Sequence, residues 1–127
     1  MKPGDELAPL VKEPVTRVQL VQYAGASGDF NPIHWDPERG QEMGLGGVIA
    51  HGMLSMGFLG QYAAAIAGPE NVKRLRVRFG AMVRPGDVLT CKGTVREADG
   101  GRLTLDIWAE NESGEKVTGG EAEVEIG

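Results

Sequence analysis

The residues best suited to chemistry in this chain are a carboxylate and an imidazole in one turn-rich stretch. Asp29 and His34 lie five positions apart within Ser27-Gly28-Asp29-Phe30-Asn31-Pro32-Ile33-His34-Trp35-Asp36. Pro32 stiffens the loop between them, so both side chains can be aimed at one point. Together they can hold a water and move protons at neutral pH, the task of a general acid–base pair. Asn31 lies between them and is placed to orient one member by a hydrogen bond. Further along, Ala50-His51-Gly52-Met53 opens a long apolar run. A helix beginning there offers the Gly52 N–H and the positive end of its dipole to an oxyanion. A glycine at that position lets a carbonyl approach closely.

Each residue also has a plainer reading. Ser-Gly-Asp is commonly only a turn, because Asp and Asn bond their own backbone. The register of Asp29, Asn31, Pro32 and His34 with the later His51-Gly52 is what favours catalysis here. His51 is a candidate second base and substrate contact, but it reads first as an imidazole supporting the site from behind, since it directly precedes the helix. A metal site from His34, Asp36 and His51 is disfavoured, because the two histidines match no familiar zinc spacing. No metal is expected.

These residues need elements to position them. Thr16 followed by Gln19 reads as a capping box, opening a short helix over about residues 17–25. Residues 25–32 read as a loop. Asp36-Pro37 is an N-cap followed by proline at the first helical position, and Gly44 to Gly47 ends that helix. Met53 to Ala67 is apolar on almost every side, which predicts a helix in the middle of the fold, stopped by Gly68-Pro69. Met53, Met56, Phe58 and Leu59 are read as core first, with Met53, Met56 and Phe58 also candidates to contact a substrate. Period-two alternation follows over residues 75–83, 89–95, 103–109 and 122–126, with turns at Pro85-Gly86-Asp87, Asp99-Gly100-Gly101 and Glu112 to Glu115. Such alternation predicts a mostly antiparallel sheet with one buried face. The fold class is therefore α+β, a curved antiparallel sheet wrapped around one central apolar helix, in one domain over residues 1–127. Cys91 falls on the apolar phase of its strand and reads as core. Arg74, Arg76 and Arg78 share one strand face, either solvated or a docking patch for an anionic substrate group or an acidic partner.

Bulk numbers narrow the class. The 127 residues hold one cysteine and a formal charge of −5. That charge argues against a nucleic-acid binder, and a lone thiol makes no internal disulfide. There is no leader-like start and no run of about 20 apolar residues, so a cytoplasmic protein without a membrane span is expected.

The stretch Ser27 to Asp36 together with His51-Gly52-Met53 resembles the signature of MaoC-like dehydratases, the (R)-specific enoyl-CoA hydratases on the hot-dog fold. Arg84-Pro85-Gly86-Asp87 resembles a turn of that family, and the likeness runs over about residues 5–126. Within the family the pattern is similar to the B-type subunit of mycobacterial (3R)-hydroxyacyl-ACP dehydratases. The resemblance implies that Asp29 and His34 form the catalytic dyad, that Asn31 supports it and that the Gly52 amide lies in the oxyanion hole. It implies a dimer of hot dogs, with itself or with a second hot-dog chain, and sites at the subunit interface. The substrate implied is an acyl-CoA or acyl-ACP thioester, hydrated or dehydrated without a cofactor. Gly57 stands where many members carry a serine, so no serine contact is carried over. A hot-dog thioesterase is a weaker alternative, because that chemistry wants a carboxylate on the central helix and residues 53–67 have none. A non-catalytic partner subunit is the other alternative, disfavoured by an intact dyad.

Overall fold

The alternating segments of the second half pair into a single antiparallel sheet in the computed structural model, which describes residues 1–126. Its strands are β1 (Leu10–Val11), β2 (Val72–Phe79), β3 (Thr90–Asp99), β4 (Arg102–Glu110) and β5 (Lys116–Glu125). Their spatial order is β1-β3-β4-β5-β2. The hairpin joining β3 to β4 turns on Gly100 and Gly101, at φ 58° and 88°. Both values lie in the left-handed region that a two-residue turn of this hand requires and that glycine adopts without a Cβ clash.

Three helices precede or cross this sheet: α1 (Arg17–Ser27), α2 (Pro37–Glu42) and α3 (Gly52–Ala67). Cys91, Val95, Leu105, Ile107, Ala122 and Val124 supply the sheet's buried face, and Leu54, Phe58, Leu59, Tyr62 and Ala63 of α3 pack into the same core. Burying one such leucine or isoleucine stabilises by roughly 1.5–3 kcal/mol, so this helix–sheet interface is the main source of stability. The result is the expected α+β hot-dog arrangement, a curved antiparallel sheet around one helix. Tyr62 ties the N-terminal segment over it, its hydroxyl donating to the Ala8 carbonyl at 2.7 Å.

Several boundaries and exposures differ from the sequence reading. Helix α1 runs on to Ser27, because Gly28 at φ 77° closes it with its N–H on the Ala24 carbonyl. The expected loop over 25–32 therefore starts three residues later. Strand β2 stops at Phe79, short of Val83. There the chain turns toward the start of α3, where the Ala50 N–H donates to the Val83 carbonyl at 2.7 Å. The most consequential difference concerns α3, which is covered on one side only. Met53 is 54% exposed, and Gly57, Gln61 and Ala65 continue the exposed stripe at i+4 spacing. The sheet covers one face of a helix, and apolarity all round did not reveal which face. Met53 is therefore not core.

Cys91 is fully buried, as its strand phase predicts, and burial pushes its thiol up to about 11. Arg74, Arg76 and Arg78 are exposed. Arg76 lies 3.8 Å from Glu121, and Arg96 bonds both Glu121 and Asp106, so the outer sheet face carries a solvated ion-pair network.

Candidate active site

The loop between α1 and α2 is built by its own polar side chains. The Asn31 N–H donates to Asp29 Oδ1 at 3.2 Å, and the Ile33 N–H donates to Asn31 Oδ1 at 3.3 Å. The second bond caps a 3-10 turn, Pro32–His34, with proline at its start. Asn31 thus orients Asp29 through its main chain, while its side chain holds the turn. Trp35 Nε1 donates to the Phe30 carbonyl at 2.9 Å and pins the bend between them. Asp36 caps α2, accepting from the Glu38 N–H at 3.1 Å, and takes no part in the site.

This turn places His34 Nε2 3.7 Å from Asp29 Oδ2. That gap exceeds a direct hydrogen bond and leaves room for a water touching both. The other ring nitrogen, Nδ1, donates to the Ile49 carbonyl at 2.7 Å. That bond places a proton on Nδ1 and leaves Nε2 as the ring atom that faces the carboxylate. His34 is buried while the Asp29 side chain is half exposed, so the pair spans the boundary between protein interior and solvent.

His51 sits behind both. Its Nε2–H donates to the Asp29 carbonyl at 3.0 Å, and its ring stacks on that of His34 with centroids 3.7 Å apart and planes 21° from parallel. Tyr23 packs on it at 4.8 Å. His51 Nδ1 is buried without a hydrogen-bond partner. Asp29, His34 and His51 bring ligand atoms within 4.8 Å of one another. A metal must lie in the plane of each imidazole at about 2.1 Å, and stacked rings do not aim their lone pairs at one ion. The donor set therefore fits a proton-handling cluster better than a metal centre.

Beside this cluster is a cavity of about 190 Å³ whose walls include His34, His51, Gly52, Ser55, Phe79 and Thr118. Gly52 begins α3, and its N-cap, His51, gives no side-chain cap. The Leu54 N–H turns back onto the His51 carbonyl at 3.1 Å, which leaves the Gly52 and Met53 amides as the free N–H groups that a helix start presents. A Cβ on Gly52 would lie 3.2 Å from the Phe79 ring, so glycine keeps that approach open. Of the residues expected to contact substrate, His51 lines this cavity. Met53 points to solvent, and Met56 and Phe58 are absent from its walls. Phe58 instead packs in the core beneath Lys12, 4.9 Å from its ring. Sequence reasoning missed Ser55, Phe79 and Thr118. Ser55 is the one serine or threonine of α3, a signal open to notice. Phe79 and Thr118 come from strands distant in sequence and carry none.

Comparison with known proteins bears on the same residues. The family model described as "MaoC like domain" matches residues 1–116. The fatty acid synthase subunit beta of Aspergillus oryzae is 36% identical over 107 residues, covering 81% of this chain but 5% of that protein. The chain thus spans a small part of the length of that relative. Among solved structures, the unliganded R-hydratase PhaJ1 from Pseudomonas aeruginosa superimposes with a TM-score of 0.85 at 31% identity, covering 99% of this chain and 82% of that one. The C-terminally truncated HadBC (3R-hydroxyacyl-ACP dehydratase) complex of Mycobacterium tuberculosis gives a TM-score of 0.76 at 19% identity, covering 97% of this chain and 96% of that one, a likeness of fold. A family match across most of the chain, on a sheet that wraps a single helix, means that this protein belongs to the MaoC-like domain family.

Proposed function

We propose that the chain is a hydro-lyase that adds water to, or removes it from, the α,β-position of an acyl thioester in fatty acid metabolism. The observation that carries this reading is the 3.7 Å approach of His34 Nε2 to Asp29 Oδ2 beside the uncapped start of α3. In the hydration direction the oxygen of a water held between the two side chains bonds to Cβ. His34 Nε2 accepts the proton the water gives up. The electron pair moves to the thioester oxygen, where the Gly52 N–H stabilises it, an effect of about 3 to 4 kcal/mol for one such donor. A proton returned to Cα completes the addition, and dehydration reverses each step. Asp29 orients the water and balances the charge that develops on His34.

The finer reading is an (R)-specific enoyl thioester hydratase or 3-hydroxyacyl thioester dehydratase, on CoA or carrier protein. The family match and the likeness to an R-hydratase support it. A second copy or a second hot-dog chain is the expected partner, in line with the HadBC complex. The absence of Asp or Glu from α3 speaks against thioester hydrolysis.

The test is hydration of crotonyl-CoA, followed by loss of its conjugated ultraviolet absorbance, with chiral analysis of the product. Asp29→Asn and His34→Ala should each lose at least about a hundredfold in kcat while keeping the wild-type circular dichroism spectrum. Near wild-type rates in both variants would refute the dyad.

A further inference from the structure

Apart from the Cys91 thiol and the Tyr62 hydroxyl, which the Ala8 carbonyl satisfies, the buried polar side chains among the described residues are His34, His51, Ser55 and Thr118. All four line the same cavity. Burying a hydroxyl costs free energy unless it is bonded, and here that cost is concentrated at one place. Two of the four belong to the cluster already described. The other two, on α3 and β5, bond each other.

Ser55 Oγ donates to the Gly52 carbonyl at 2.8 Å. Its proton is thereby committed, so the 2.6 Å contact between the two hydroxyls makes Thr118 the donor to Ser55. The relay runs from β5 through Thr118 and Ser55 to the first peptide of α3. Because the Gly52 carbonyl and the Met53 N–H share one rigid peptide plane, holding the carbonyl fixes the direction of the Met53 N–H and, across the Gly52 Cα, constrains the Gly52 N–H beside it. Thr118 is also the register partner of Phe79, whose ring closes on Gly52 from the other side. The start of α3 is therefore held between adjacent residues of two paired strands.

We propose that Ser55 is a positioning residue of this site, acting with Thr118 to orient the first-turn amides of α3 toward the thioester oxygen. The proposal rests on the hydro-lyase reading above. Ser55 touches the Gly52 peptide and not the reacting atoms. Its loss should therefore lower kcat, where charge on the oxygen is greatest, and leave KM nearly unchanged.

Crotonyl-CoA hydration is measured for Ser55→Ala, Ser55→Thr, Thr118→Val and the Ser55→Ala/Thr118→Val double variant. Ser55→Ala should lose roughly tenfold in kcat, the worth of about one hydrogen bond, with KM within about twofold. Ser55→Thr keeps the hydroxyl and should restore most of the rate. The double variant should be no slower than Ser55→Ala, since both changes break one relay. Wild-type kcat in Ser55→Ala, or an equal loss in Ser55→Thr, overturns the proposal. If the unaltered protein neither hydrates crotonyl-CoA nor dehydrates 3-hydroxybutyryl-CoA, the hydro-lyase reading fails. The relay is then judged by the carbonyl-carbon NMR shift of Gly52. That shift should move in Ser55→Ala and stay in Ser55→Thr, and an unmoved shift in Ser55→Ala overturns it.

Discussion

At the scale of single residues, the site depends on fixed tautomers. His34 has one nitrogen tied to the Ile49 carbonyl, which leaves the other to face Asp29. His51 is tied at Nε2 to the Asp29 carbonyl and lies flat on His34. One side chain thus braces both members of the pair. His51→Phe keeps an aromatic ring but removes the donor, and should lower kcat about tenfold. His51→Gln retains an N–H donor at similar reach and should keep more of the rate. Parallel kcat measurements and circular dichroism on the two variants check this, and equal rates would mean that the bond to Asp29 does nothing. The His34–Asp29 pairing was open to inference from their spacing around Pro32. The stack of His51 on His34 was not, because a separation of 17 positions says nothing about ring orientation.

At the scale of elements, the end of α1 sets the position of Asp29. Gly28 adopts φ 77° and caps the helix with a bond to Ala24, and Asp29 follows directly, its N–H on Ser27 Oγ at 3.2 Å. Gly28→Ala forces a side chain into left-handed backbone, at about 1 kcal/mol. Relaxing that strain moves the carboxylate. The expected outcome is an unfolding free energy in urea lowered by that amount, with a fall in kcat larger than the small unfolded fraction accounts for. Unfolding curves and rates measured well below the thermal midpoint separate the two effects. A rate loss no greater than the unfolded fraction would show that the cap serves stability alone. Thr16 at the other end of α1 accepts from the Gln19 N–H at 3.0 Å, a cap legible in the sequence from residue types alone. The C-terminal boundary was less legible, since Gly25 and Gly28 both look like stops.

At the scale of the whole molecule, two ionisable groups sit in or against the core with their protons retained. Burial raises Cys91 from its ordinary 9.0 to about 11, and burial raises Tyr62 from 10.0 to about 12. In both, the folded protein holds its proton more tightly than the unfolded chain. Their contribution is therefore intact below about pH 9 and is lost as pH rises through 11 for Cys91 and 12 for Tyr62. Unfolding free energy should fall with pH in that window. Cys91→Ala should flatten the part between pH 9 and 11, as urea titrations at stepped pH would record. An unchanged slope in that variant would remove Cys91 as the cause. The outer face of the sheet contributes little by comparison, because its arginine–carboxylate pairs are exposed and screened.

The sequence by itself determined the fold class, the identity of the central helix and the loop that holds Asp29 and His34. Period-two alternation, proline and cap residues act over a few positions, and those are the distances a sequence displays directly. Only the tertiary structure decided which face of α3 is covered, that Met53 faces solvent, and that Ser55, Thr118 and Phe79 meet at Gly52. Those contacts join an element near the middle of the chain to strands far along it. Their partners are set by sheet order and register, which emerge only when the whole core packs.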